Sequence, residues 1–345
     1  MTQRVAHEAG GKPSRGRFSR DHGVLLGCLV LLALSSLFCL SVGSVPLSPQ
    51  EVFAALRGSE GGPVGSIVMH VRLPRLFAAV LAGIGLAVAG TVIQTVLANP
   101  LAGPGIIGVN AGAGLSSTIV AVVVPGFTQL LPLAAFVGAL LTMLLVYGVA
   151  RGAGASKTVL VLAGVAVSSL LTAGINALTT LFPQALLDSH AYAMGGFAGV
   201  SLSVLPYAGT LIVLGSIVVL ALAEELEILG LGEASARSLG LNVGAYRFLF
   251  LLLGAALAGA AVSFAGLIGF VGLIIPHVAR LLVGSSRRKV VIASALIGAS
   301  FLMICDTIAR TVFSPFELPV GILIAFIGVP FFLWLLFKQK RRARD

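Results

Sequence analysis

The feature that most constrains this chain is a series of apolar stretches of about 20 residues, the length a helix needs to cross the hydrocarbon of a bilayer. Eight are clear, at 24–43, 73–98, 106–125, 129–150, 158–182, 203–223, 290–308 and 319–337. Residues 248–284 hold only Arg280 and His277 as ionisable side chains. At about 1.5 Å per residue that segment is too long for one crossing. Two crossings with a tight turn near Ala265-Gly266 fit it better, which makes ten. With 58% of its 345 residues apolar and 10% charged, the chain lacks the charged surface that a soluble core of this length needs. The sequence therefore predicts an all-α, polytopic membrane protein with a single ten-helix domain over 24–338. A disordered cytosolic tail at 1–23 precedes the domain and a basic cytosolic tail at 339–345 follows it.

Charge tests the count independently. If both termini are cytosolic, all but four of the 22 Lys and Arg lie on the inner side, and only Arg57, Arg72, Arg75 and Arg310 lie outside. An odd number of crossings within 248–284 would carry Arg287, Arg288 and Lys289 outward and destroy that bias. The net charge of +10 thus follows from topology in a bacterial inner membrane, and no nucleic-acid partner is needed to explain it.

The chain shows no chemistry of its own. Cys28, Cys39 and Cys305 lie in apolar segments without metal-ligand spacing, and no catalytic or metal constellation is visible. The nearest approach to a phosphate loop, Arg151 to Thr158, has Ser156 where a glycine belongs and opens on Arg151, so it reads as a short basic loop. His277 follows Pro276 and fits a helix-end histidine bonded to a freed carbonyl better than a proton relay. Ionisable residues inside the crossings are scarce; Asp306 and Arg310, spaced to pair along one helix, are the exception. The chain has 43 glycines to let helices pack closely and no visible motor, so a motor is expected on a separate subunit.

Several motifs carry a resemblance. They are Arg72-Leu-Pro-Arg75, Ala89-Gly-Thr-Val-Ile-Gln94, the run from Asn99 to Ala113, Leu162-Ala-Gly-Val-Ala166, the run from Gly232 to Leu241, the run from Gly269 to Leu281, and Glu317-Leu-Pro-Val-Gly-Ile322. In this order they closely resemble the FecCD-type permeases, the membrane subunits of ABC importers for iron-siderophores, haem and vitamin B12. The resemblance covers about residues 24–338. It implies a ten-span permease in a homodimer or homologous pair, two cytosolic ATPase subunits that bind ATP and Mg, and an extracytoplasmic binding protein. No cofactor is implied on this chain itself.

Carried over by position, the resemblance makes Arg72, Arg75 and Arg310 docking residues for carboxylates of the binding protein; the alternative is headgroup anchors. The polar island from Glu224 to Arg247 becomes two short helices along the membrane face. Its Glu233, Ala236, Arg237, Leu239, Gly240 and Leu241 meet the ATPase, while Gly240 and Gly244 allow turns. Asn99, Pro100 and Leu101, with Ser156, Lys157 and Thr158, match the cytosolic gate, although each also suits a helix break or cap. Ala98 and Gly103 depart from the pattern there. Thr172, Asn176, Thr179 and Thr180 put polar atoms on the fifth crossing as candidates for the translocation path, unless they bond their own helix. The expected function is alternating-access import of an iron chelate, iron-siderophore or haem. The alternatives are cobalamin import, an ion-driven secondary transporter, a zinc or manganese permease, and an intramembrane enzyme.

Overall fold

A computed structural model describes residues 15–59, 62–154, 156–183, 192–200, 202 and 205–342. Among them no strand occurs. The helices are α1 (Arg15–Ser41), α2 (Pro49–Leu56), α3 (Gly62–Val96), α4 (Val109–Val123), α5 (Leu131–Gly152), α6 (Lys157–Leu181) and α7 (Leu205–Ala221). They continue with α8 (Ala223–Gly230), α9 (Glu233–Ser238), α10 (Val243–Ala265), α11 (Val271–Val283), α12 (Arg287–Thr311) and α13 (Val320–Arg342).

Among the described residues, ten apolar helices overlap the expected crossings, and seven of them are long and apolar enough to span a membrane alone. The other three are α7, which passes that test only jointly with α8 across a 62° bend, and the shorter α4 and α11. At 13 residues α11 is about 20 Å long, against a hydrocarbon thickness of about 30 Å. Its shortness follows from the chain entering it through a non-helical turn. Gly266 takes a φ of +70°, and a Cβ there would meet the Tyr192 carbonyl at 2.3 Å. The expected turn near Ala265-Gly266 is where the sequence placed it.

Three differences stand out. Helix α1 begins at Arg15, inside the segment read as tail, and α13 continues through the start of the C-terminal basic run. Residues 1–14 and 343–345 lie outside the described residues. Helix α2 went unforeseen because eight residues give little periodicity. It is fixed by a capping box, in which the Ser48 amide donates to Glu51 Oε2 at 2.7 Å and the Glu51 amide donates to Ser48 Oγ at 3.3 Å. Finally, α3 extends outward beyond its expected start through a π-helical stretch at Ile67–Arg72, which turns Arg72 inward.

The centre is α3, α10 and α12, whose most apolar stretches are 72%, 67% and 67% buried, against 22% for α1, α6 and α13. Small residues permit this packing, since a Cβ on Gly90 would lie 1.9 Å from the Gly272 carbonyl oxygen of α11. Polar atoms are paired inside the core as well. Thr91 Oγ1 donates to Ser294 Oγ at 3.1 Å between α3 and α12. Pro276 has no N–H for the carbonyl of Gly272, four residues earlier, and Gln94 Nε2 of α3 supplies that donor at 3.0 Å. Arg280 in turn donates to Gln94 Oε1, so α3 braces the proline-containing helix.

Candidate transport site and its two ends

Charge asymmetry names the two ends: the end holding Arg72, Arg75 and Arg310 is outer, and the end holding α8 and α9 is cytosolic. At the outer end the three arginines are not the free cations that their positions suggested. They are 2%, 8% and 6% exposed. Arg72 Nη1 donates to the carbonyls of Leu40 at 2.5 Å and Ser41 at 2.9 Å, and Nη2 donates to Val45. It thereby satisfies the last carbonyls of α1, which no helical N–H reaches. Arg310 donates to the Cys39 carbonyl in the same region. Arg75 grips Glu317 with both terminal nitrogens, at 3.0 and 2.8 Å. Between them Asp306, 1% exposed, has Arg75 Nη2 at 3.7 Å and Arg310 Nε at 3.8 Å. The pairing of Asp306 with Arg310 that the sequence allowed is therefore present, but within a larger buried network.

The outward member of that network is Glu317, with 44% of its side chain exposed. The bond from Arg75 holds its carboxyl below the usual range. Glu317 and Arg75 stand on the wall of an outer cavity of about 860 Å³, shared with Gln129, Tyr192, Ser263 and Gly266. Glu317 was quoted in the sequence only as part of a motif; nothing in the linear pattern pairs it with an arginine 242 positions away.

Helix α6 carries Thr172, Asn176, Thr179 and Thr180, the candidates for a translocation path. Only Leu160, Ala163, Gly164 and Val167 of this helix are buried, so most of its length is left uncovered by the chain. A groove of about 500 Å³ runs along the uncovered face past Gly105, Ser168, Ser169, Thr172 and Asn176. The hydroxyls of Thr172, Thr179 and Thr180 bond carbonyls of their own helix at 2.8, 3.0 and 2.8 Å. That local satisfaction lets them sit in an apolar helix, and Thr172 also lines the groove. Leu162, Val165 and Leu170, all more than half exposed, flank the same face.

At the inner mouth, Ser156 caps α6 by accepting from the Val159 amide at 3.1 Å, and Lys157 and Thr158 form the first turn. Asn99 Oδ1 accepts from the Leu101 amide at 2.9 Å and closes a turn around Pro100. The chain from that turn packs against α6, where a Cβ on Gly164 would meet the Ile106 carbonyl at 1.8 Å. The chain that follows the first candidate gate segment thus packs on the helix that the second one begins.

The polar island forms two short helices, α8 and α9, as expected. Leu239 and Leu231 are each 61% exposed, and Arg237 keeps 69% of its side chain in water. Gly240 turns the chain at φ +84°, whereas Gly244 lies within α10 and makes no turn. Leu241 is half-buried behind the turn. Ala236 is 0% exposed. Its methyl belongs to the chain's own core, so it anchors α9 and cannot be a contact for another subunit in this conformation. Glu233 bonds Arg237 at 2.6 Å and, across to α10, Arg247 at 2.9 Å. Those bonds hold its carboxyl below the usual range, that from Arg247 most.

A membrane protein with an uncovered polar-striped helix, a separate cytosolic helix pair and an outer cavity is built for transport, and comparison with known proteins gives its family. The model of the FecCD transport family matches residues 31–338. The chain belongs to the FecCD transport family. It is 36% identical over 326 residues to the hemin transport system permease of Yersinia pestis, covering 93% of this chain and 96% of that one. It is 41% identical over 282 residues to the cobalamin import system permease of Halobacterium salinarum, covering 80% and 75%. A solved metal-chelate type ABC transporter in an inward-facing conformation superposes with a TM-score of 0.82 at 31% identity, over 92% of this chain and 99% of that one. This FecCD chain is accordingly a multi-pass permease of the cytoplasmic membrane.

Proposed function

We propose that two copies of this permease face each other across their α6 helices and pass an iron chelate, a ferric siderophore or haem, through the space between them by alternating access. The observation that carries the reading is α6 itself. An apolar helix with most of its length uncovered, a lengthwise groove and hydroxyls in that groove needs a partner surface and a passage on the same face. A bound chelate, large and largely apolar outside its polar ligands, suits walls of valine, leucine and alanine punctuated by Ser169, Thr172 and Asn176.

Two cytosolic ATPase subunits, binding ATP and Mg, engage the exposed surface formed by Glu233, Arg237, Leu239 and Gly240. An extracytoplasmic binding protein docks over the outer rim. There Glu317 and Arg75 face the cavity, and Arg72 and Arg310 hold the rim from behind. ATP-driven closure of the ATPases moves α8 and α9, and the segments at Asn99 to Leu101 and Ser156 to Thr158 open or close the inner mouth of the path.

The test is uptake by the reconstituted transporter with its ATPase and binding protein. ATP-dependent accumulation of a ferric siderophore or haem is expected. Accumulation that persists with the ATPase omitted and follows an ion gradient instead would overturn the reading. A second cargo, cobalamin, is favoured by the 41% identity with the Halobacterium salinarum permease, and selective accumulation of cobalamin in the same assay would replace iron chelates with it.

A further inference from the structure

We propose that the Glu233–Arg247 ion pair is the strut through which helix α9 moves α10, and with it the wall of the outer cavity, so that Arg247 is a positioning residue of the transport cycle. The inference rests on the reading of α9 as the ATPase contact and adds the route by which movement leaves it. Helix α9 has six residues and is bounded on both sides by glycines in turn conformations, Gly232 at φ +103° and Gly240 at φ +84°. Backbone so hinged transmits little force along itself. Side chains make the firm attachments: buried Ala236, and Glu233 Oε2, which accepts from Arg247 Nη2 at 2.9 Å.

Arg247 lies near the start of α10 with 9% of its side chain exposed, so the pair reaches into the packed helix rather than across its surface. Helix α10 then runs 23 residues, about 35 Å, through the centre of the molecule. Its far end, Ser263 to Ala265, is wall of the 860 Å³ outer cavity, and Tyr192 Oη of the facing loop donates to its Val262 carbonyl at 2.8 Å. One buried, well-packed helix therefore has the coupling surface bonded to one end and the outer cavity lined by the other. Lys157, the first residue of α6, lies within electrostatic range of both Glu233 and Arg247, so the same node also borders the helix of the groove.

An ion pair that only anchored α9 would leave coupling intact once the protein is folded; a strut would not. In the complete reconstituted transporter, Arg247→Met and Glu233→Gln are each expected to lower the substrate moved per ATP hydrolysed by about tenfold. The double variant should be no worse than either single one, since both remove one interaction. A cysteine at Phe264, on the cavity wall, should lose its ATP-dependent change in thiol reactivity in Arg247→Met while the ATPase subunits still co-purify. Arg247→Lys, which keeps the charge, should retain most of the ratio, and it carries the test if Arg247→Met does not fold. An unchanged ratio in both single variants, or losses that multiply in the double one, overturns the strut. If Glu233→Gln loses the ATPase while Arg247→Met keeps both the ATPase and the ratio, Glu233 acts only on the partner, and the strut is likewise overturned. Arg237→Glu separates the underlying reading: if it leaves both co-purification and the ratio intact, α9 is not the ATPase contact, whatever the other variants do.

Discussion

At the outer end Arg72, Arg75 and Arg310 lie almost wholly inside the molecule and direct their guanidiniums at the chain's own carbonyls and carboxylates. At the cytosolic end Arg237 keeps 69% of its side chain in water and pairs with Glu233, one helical turn away. All four are arginines close to helix ends, and sequence position alone gives them equal claims to contact a partner. Burial separates them. Taking a guanidinium out of water is costly, and it is tolerated at the outer end because each has acceptors in place. An arginine so committed is part of the architecture, and Glu317, in front of it, carries the exposed carboxylate.

The sharpest way to break this comparison is at Asp306. Asp306→Ala leaves Arg75 and Arg310 facing each other without the buried carboxylate, and removing one member of such a network typically costs about 3–5 kcal/mol. A large fall in the unfolding temperature of the purified permease is expected; an unshifted one means that the outer network is not structural. Next is Arg72→Met, which removes the side-chain donor from the Leu40 and Val45 carbonyls, while Ser41 keeps the Leu47 amide and Cys39 keeps Arg310. Each buried carbonyl left without a donor costs about 1–3 kcal/mol. Protease cleavage near residues 42–48 should become faster, and resistance equal to the parent would contradict the capping role.

Arg237→Glu should do the reverse. Its surface pair with Glu233 is worth under about 1 kcal/mol, so the melting curve should barely move while ATP-driven uptake falls. Normal uptake with lost stability would invert the comparison. The smallest effect is acid sensitivity at Glu317. Its carboxyl titrates lower in the folded protein than in the unfolded chain, so its stabilisation is fully present above the ordinary glutamate range and is lost as pH falls through the lower folded value. With 44% of the side chain exposed, water screens the pair and its contribution stays below about 1 kcal/mol. The unfolding temperature of Glu317→Gln should match the parent in strong acid and fall slightly below it near neutrality; a constant gap across that range would remove Glu317 from the network.

Much of the cytosolic end was legible in the sequence because it depends on local contrast. A run with Glu224, Glu225, Glu227, Glu233 and Arg237 between apolar helices must lie in water, and glycines divide it into two short helices. The polar stripe of α6 was legible for the same reason. The outer end was not. Whether Arg75 faces water or Glu317 depends on how α3 sits beside the loop before α13, a contact 242 residues apart in sequence. The role of Gln94 was hidden likewise, since the carbonyl it satisfies is freed by Pro276 on another helix. Ala236 misled because a small residue in a polar helix gives no sign of which way it points.

The sequence by itself determined that the chain is helical and membrane-embedded, where its long apolar helices fall, which end is basic, and which segment is polar. These follow from the free energy of moving each stretch between water and hydrocarbon, a property that sums along the chain. Only the tertiary structure decided which arginines are architecture, that α9 is bonded to α10 through Glu233 and Arg247, and that α6, like α1 and α13, is left mostly uncovered. Those outcomes depend on which surfaces helix packing brings within bonding distance, and no sum over neighbours in sequence contains that information.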